Sequence, residues 1–225
     1  MLWINPYRFG ARPPDLAWES DSGVTGSPAS SWASLTASTI LAQGTAANQP
    51  AVTPNAFGTT QGLTFDGTSD WMAIAAKPVT ATAAGSLSIV FKTGSVITAG
   101  VLLAQADSAV TNNWWEIGIN ANGKVYIESN DAGAKRTVVC PTVLISGTVY
   151  DIIVAWDGTD FYVLLKGIEE NPLIMENSAS PMSWLGRVNG TTVFSIGACM
   201  PSGGAVRFFN GVLGGIYFWS MDITG

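Results

Sequence analysis

The chain contains no histidine among its 225 residues. Without imidazole it cannot build a Ser-His-Asp or Cys-His nucleophile, a His-ligated zinc or non-haem iron centre, or a His proton shuttle. Cysteine is nearly as scarce. Cys140 and Cys199 are too few for an all-thiolate zinc site or a disulfide scaffold. Two buried free thiols are expected, with one disulfide as the alternative. Only 12% of residues are charged, and 10 basic against 16 acidic side chains give a net charge of −6. Such a surface repels phosphate, so no nucleic-acid partner is expected. No apolar run reaches the roughly 18 residues a membrane span needs, and MLWINPYRFG lacks the basic segment, apolar stretch and small-residue cleavage site of an export signal. Neither membrane insertion nor export is expected.

Apolar residues make up 47% of the chain, and 25 Gly with 11 Pro interrupt it too often for long helices. That balance points to an all-β fold. From Met1 to about Pro54 the chain is rich in Pro, Ser, Thr and Ala, with little periodicity, so irregular structure is expected there. Within it, Ser30 to Leu41 is the best candidate helix of the chain. Trp3, Tyr7, Phe9 and Trp18 are costly to leave in water. Residues 1–30 therefore read as an extended arm that docks those aromatics on a partner, another copy or a different protein, ahead of a domain over residues 31–225.

Beyond Pro54, short β-rich runs end in Gly, Asn or Asp at the spacing of a sandwich. In WWEIGINANGKVYIES, Trp115, Ile117 and Ile119 alternate with Trp114, Glu116 and Gly118; NANG turns the chain; Val125 and Ile127 then alternate with Lys124, Tyr126 and Glu128. A second hairpin lies in TVYDIIVAWDGTDFYVLLKG. Both its faces are apolar, so central strands covered on each side are expected.

Several segments, in this order, resemble the concanavalin A-like jelly roll, in the laminin-G-like branch found in tailed-phage structural proteins. GLTFDGTSDWMAI is similar to that family's FDG-x-x-D strand pair, and SLSIVFKT to the strand that follows. TVYDIIVAWDGTDFYVLLKG resembles its dG-centred hairpin, with Tyr150 and Asp151 where tryptophan and histidine are usual. VFSIGA followed by FFNGVLGGIYFW resembles its closing strands. The likeness runs from Trp32 to Trp219. It implies a sandwich of two antiparallel sheets. The missing export signal, the proline-rich aromatic arm and the poorly charged, Gly/Ser/Thr-rich body together point to a virion structural protein of a tailed phage: a capsid decoration or tail adhesion protein with surface glycans as an additional ligand. The alternative is a carbohydrate-binding module of a cellular surface or secreted protein.

Fold alone does not settle function. Glucan-cleaving relatives carry E-x-D-x-x-E on one strand, which puts two carboxylates on one face at the separation a retaining mechanism needs. That string is missing here, and no catalysis is expected. Of the nine tryptophans, Trp115, Trp156 and Trp219 read as core. Trp114 alternates onto the face away from the core with Glu116, Lys124 and Tyr126. These four form the candidate ligand-binding patch, with simple exposure or a subunit contact as the equal alternative. Asp66 and Asp70 could contribute oxygens to calcium, but Asp before Gly is first a turn residue. No cofactor is expected.

Overall fold

The computed structural model describes residues 13–80, 84–176, 184–188 and 190–220. Its eighteen strands form two antiparallel sheets, as a jelly-roll sandwich requires. One sheet holds β1 (Leu16–Glu19), β5 (Ala51–Phe57), β6 (Thr60–Asp66), β8 (Gly85–Thr93), β13 (Val149–Trp156), β14 (Phe161–Leu165), β15 (Ile168–Glu169) and β18 (Asn210–Trp219). They lie in the order β15-β14-β13-β8-β18-β6-β5, with β1 also paired to β18.

The other sheet holds β2 (Val24–Thr25), β3 (Ser31–Ala33), β4 (Ile40–Ala42), β7 (Met72–Ile74), β9 (Gly100–Ala106), β10 (Trp114–Ile119), β11 (Lys124–Asp131), β12 (Ala134–Val143), β16 (Ile174–Glu176) and β17 (Val193–Ile196). Its order is β16-β12-β11-β10-β9-β17-β7-β4-β3-β2. Among the described residues no helix is long and apolar enough to cross a membrane.

The hairpin β10–β11 forms where alternation placed it. Asn120 Oδ1 accepts the N–H groups of Asn122 and Lys124, and Gly123 takes φ +70°, which closes the turn. The central position expected of β13 is also found: β14 and β8 flank it, and Ile152 to Trp156 are buried on both faces. Cys140 and Cys199 are buried free thiols. Burial pushes the Cys140 thiol up to about 12, assisted by the Glu170 carboxylate.

The N-terminal segment differs from the expectation. Ser30 to Leu41 is not a helix; it carries β3, a turn and part of β4, paired antiparallel. β-branched residues and serines there find partners in the sheet that a helix interior would not supply. Trp18 is likewise not an anchor for another chain. It is fully buried, stacked on Phe194 at 5.6 Å and 12°, while β1 pairs with β18 from Leu16↔Phe218 to Glu19↔Gly215. Trp32 is buried beside it and donates its indole N–H to the Glu19 carbonyl at 2.9 Å. These aromatics satisfy their burial within the domain. Trp3, Tyr7 and Phe9 lie outside the described residues.

Between the sheets, Trp115, Ile117, Ile119, Val125, Ile127, Val138 and Cys140 join one continuous core with Phe91, Phe194 and Phe218. The opposite face of the β9–β12 strands carries a second, smaller cluster of Val101, Ala104, Ala106, Trp114, Val193 and Cys199. That outward face holds the candidate site.

Candidate functional site

Strand alternation sets the outward row. Glu116 pairs with Glu128, and Gly118 with Tyr126, across β10–β11; Glu128 pairs with Thr137, and Tyr126 with Val139, across β11–β12. Cross-strand partners stand close enough for direct side-chain contact. A methyl at Gly118 would come within 3.0 Å of the Tyr126 ring. Glycine there leaves the space the tyrosine ring occupies, and its hydroxyl donates to Glu116 Oε1 at 2.6 Å.

The second wall comes from the connection between β17 and β18. Cys199 and Val206 exchange backbone hydrogen bonds at 3.0 and 2.8 Å, and Val101 N–H donates to the Arg207 carbonyl at 2.8 Å. This folds the connection back over β9. Arg207 sits there at φ +57°, a left-handed conformation that costs an L-residue about 1–2 kcal/mol. Its guanidinium lies 4.8 Å from the Trp114 ring centroid and bonds Glu116 Oε2 at 2.5 Å. Glu128 has its own cation: Lys135 Nζ at 2.8 Å on Oε2, with the Thr137 hydroxyl donating to the same oxygen at 2.7 Å.

Around these pairs lies an open cavity of about 290 Å³, lined by Tyr126, Glu128, Lys135, Thr137, Glu176 and Arg207 together with the buried Glu116. That volume is near the lower end of ligand pockets, about 300–1,000 Å³. Burial pushes the Glu116 carboxyl above its usual range, opposed by the Arg207 charge and the Tyr126 hydroxyl. Burial, with the Glu116 charge beside it, pushes the Tyr126 phenol far above its usual range. Tyr126 therefore keeps its proton and donates it to Glu116.

The four sequence-derived patch residues meet different fates. Glu116 and Tyr126 line the cavity. Trp114 shares their face but is 5% exposed, covered by Arg207 and by Lys135 at 6.0 Å, with its indole N–H donated to the Thr111 carbonyl at 3.3 Å. It is not an open stacking platform, because the long cationic side chains lie over it. Lys124 is only partly buried and is not among the residues lining the cavity. Lys135, Thr137 and Arg207 were missed. The first two follow from carrying the alternation one strand further, through the Asp131–Ala134 turn into β12. Arg207 reaches Glu116 from 91 residues away along the chain and leaves no local signal.

Asp66 and Asp70 form a turn. Asp66 Oδ1 accepts the N–H groups of Thr68, Ser69 and Asp70 at 2.8 to 3.1 Å, and Oδ2 accepts the Thr68 and Ser69 hydroxyls. Burial alone would raise the Asp66 carboxyl, but these bonds together outweigh it and hold the group far below its usual range. Both oxygens are thus engaged locally. Asp70 Oδ2 accepts the Asp66 N–H at 3.0 Å.

No family model matches the chain, and no curated protein matches it in sequence. Solved structures do match in fold. Domain 4 of AbnA, a GH43 extracellular arabinanase from Geobacillus stearothermophilus, solved in complex with arabinotriose, aligns with a TM-score of 0.63 at 13% identity, covering 94% of both chains. The CBM40 of the Ruminococcus gnavus IT-sialidase, bound to α2,3-sialyllactose, aligns at 0.57 and 15%, covering 72% of this chain and 90% of that one. The NanB sialidase of Streptococcus pneumoniae aligns at 0.59 and 16%, also over 72% of this chain, but this chain spans only about a quarter (26%) of it. At these identities the likeness shows a shared jelly-roll sandwich.

Proposed function

We propose that the chain is a non-catalytic carbohydrate-binding module whose ligand site is the cavity over β10, β11 and β12. One observation carries this reading. Two carboxylate–cation pairs, Glu116–Arg207 and Glu128–Lys135, stand side by side on a sheet face at the edge of an open cavity. Each pair offers fixed acceptors and fixed N–H donors together. A sugar hydroxyl both donates and accepts, so such pairs match a polyol better than they match an apolar ligand. The Tyr126 ring adds an apolar edge of the kind a sugar face packs against.

Two of the fold neighbours described above were solved with oligosaccharides, which agrees with this reading. The virion role rested in part on an aromatic arm, and Trp18, one of its four aromatics, is committed to the domain's own core. Catalysis is not part of the proposal, because Glu116 is fully buried and both carboxylates are tied to cations.

A glycan array probed with the purified chain tests the reading. A defined set of oligosaccharides should bind, and Glu128→Gln should remove the signal while the protein stays folded. Absence of any glycan signal, or a signal unchanged in Glu128→Gln, would overturn it.

A further inference from the structure

Among the described residues, the cavity is lined by one more carboxylate than cation. Glu116, Glu128 and Glu176 line it against Lys135 and Arg207. Neither cation is left over. Arg207 is closed on Glu116 at 2.5 Å and Lys135 on Glu128 at 2.8 Å. The Tyr126 and Thr137 hydroxyls also spend their protons on those carboxylates.

We infer that the cavity selects uncharged, hydroxyl-rich glycans and rejects sugars that carry a carboxylate or sulfate. This rests on the carbohydrate-binding reading above. An anionic sugar would have to break a carboxylate–cation pair to gain a counter-charge, leaving Glu116 or Glu128 uncompensated on the sheet. Otherwise it would add a further negative charge to a site whose described residues already carry one carboxylate more than cations. Both routes cost free energy, and the net charge of −6 on the whole chain adds repulsion on approach. A neutral sugar pays neither cost. Its hydroxyl oxygens accept from the remaining N–H groups of Arg207 and Lys135, and its hydroxyl protons go to the remaining carboxylate lone pairs. Glu128 Oε1 and the Glu176 carboxylate accept no hydrogen bond from a described residue, so they are placed to take those protons. The selectivity opposes that of a site built for sialyllactose, which is acidic.

The test is a binding panel on the full chain in which each neutral oligosaccharide is paired with its acidic counterpart. Lactose stands beside sialyllactose, and neutral arabino-, xylo- and galacto-oligosaccharides beside uronate-bearing equivalents. At least one neutral sugar should bind about tenfold or more tightly than its acidic partner, a difference of one decade in Kd. Its affinity should change little between low and high salt, because no net charge is neutralised. Glu176→Lys, at an exposed strand edge, should narrow the ratio by admitting the acidic partner. Preference for acidic sugars, equal affinity for both, or a ratio untouched by Glu176→Lys would overturn the inference while leaving carbohydrate binding intact. Failure to bind any sugar would instead remove the reading on which the inference rests.

Discussion

Glu116 and Glu128 face each other directly across the β10–β11 pair, yet each carboxylate is held by a cation from a different element, Arg207 at 2.5 Å and Lys135 at 2.8 Å. Like charges opposite one another on a sheet destabilise it. The two pairs offset that repulsion and leave an ordered array of donors and acceptors at the cavity.

Arg207→Ala should therefore cost stability as well as binding. Removing one partner of a buried pair costs about 3–5 kcal/mol when both are buried. Here the Arg207 side chain is 39% exposed, so water and salt screen part of the loss. Urea unfolding should show a fall of about 2 kcal/mol. Glu116→Gln, which keeps the shape and removes the charge, should cost less. A larger loss in Glu116→Gln than in Arg207→Ala would contradict this.

Trp114→Ala should be expensive even though the residue lies outside the main core. The indole is 5% exposed and supports both Arg207 and Lys135. Truncating a large buried aromatic costs about 3–5 kcal/mol, and a value near the lower end is expected in this smaller cluster. A nearly unchanged melting temperature would show that Trp114 is exposed in solution.

The first strand gives a third prediction. Deleting residues 1–12 should leave a folded sandwich, because the described pairing begins at Leu16. Deleting residues 1–28 should unfold it, since that removes β1 and the Trp18 ring stacked on Phe194. Circular dichroism and thermal melts of the two truncations decide the point. A stable, cooperative fold after the longer deletion would contradict the place given to Trp18.

A pH dependence follows from the Asp66 turn. Burial, then the nearby Asp66 charge, push the Asp70 carboxyl from its ordinary 3.8 up to about 6. The native state then holds a proton that the unfolded chain has released, so this contribution is full below about pH 3.8 and is lost as pH rises through about 6. Asp66 acts in the other direction, because its lowered carboxyl contributes above its ordinary value and loses that contribution only in stronger acid. Asp70→Asn should flatten the fall in urea midpoint between about pH 4 and pH 6. An unchanged slope in the variant would assign it elsewhere.

The hairpin from Trp114 to Asp131 was legible because six residues of strict alternation fix both register and face. Glu116 and Tyr126 came with it. Trp114 was placed on the correct face but given the wrong surroundings, since alternation says nothing about which side chains lie over a ring. Strands β1 to β4 were not legible. They run two to four residues in Ser-, Thr- and Ala-rich sequence and exist through pairing with distant partners rather than through local preference. Pro54 looked like the end of an irregular stretch, whereas it lies within β5, an edge strand, where a missing N–H is tolerated. Arg207 was invisible for a related reason: only the folded connection between β17 and β18 carries it to Glu116.

The most direct measurement is a crystal structure of the chain with an oligosaccharide that it binds. The account predicts sugar density in the cavity, with hydroxyls on Glu128, Lys135 and Arg207 and a ring edge against Tyr126. Density for that sugar on another face, with this cavity holding only solvent, would contradict it.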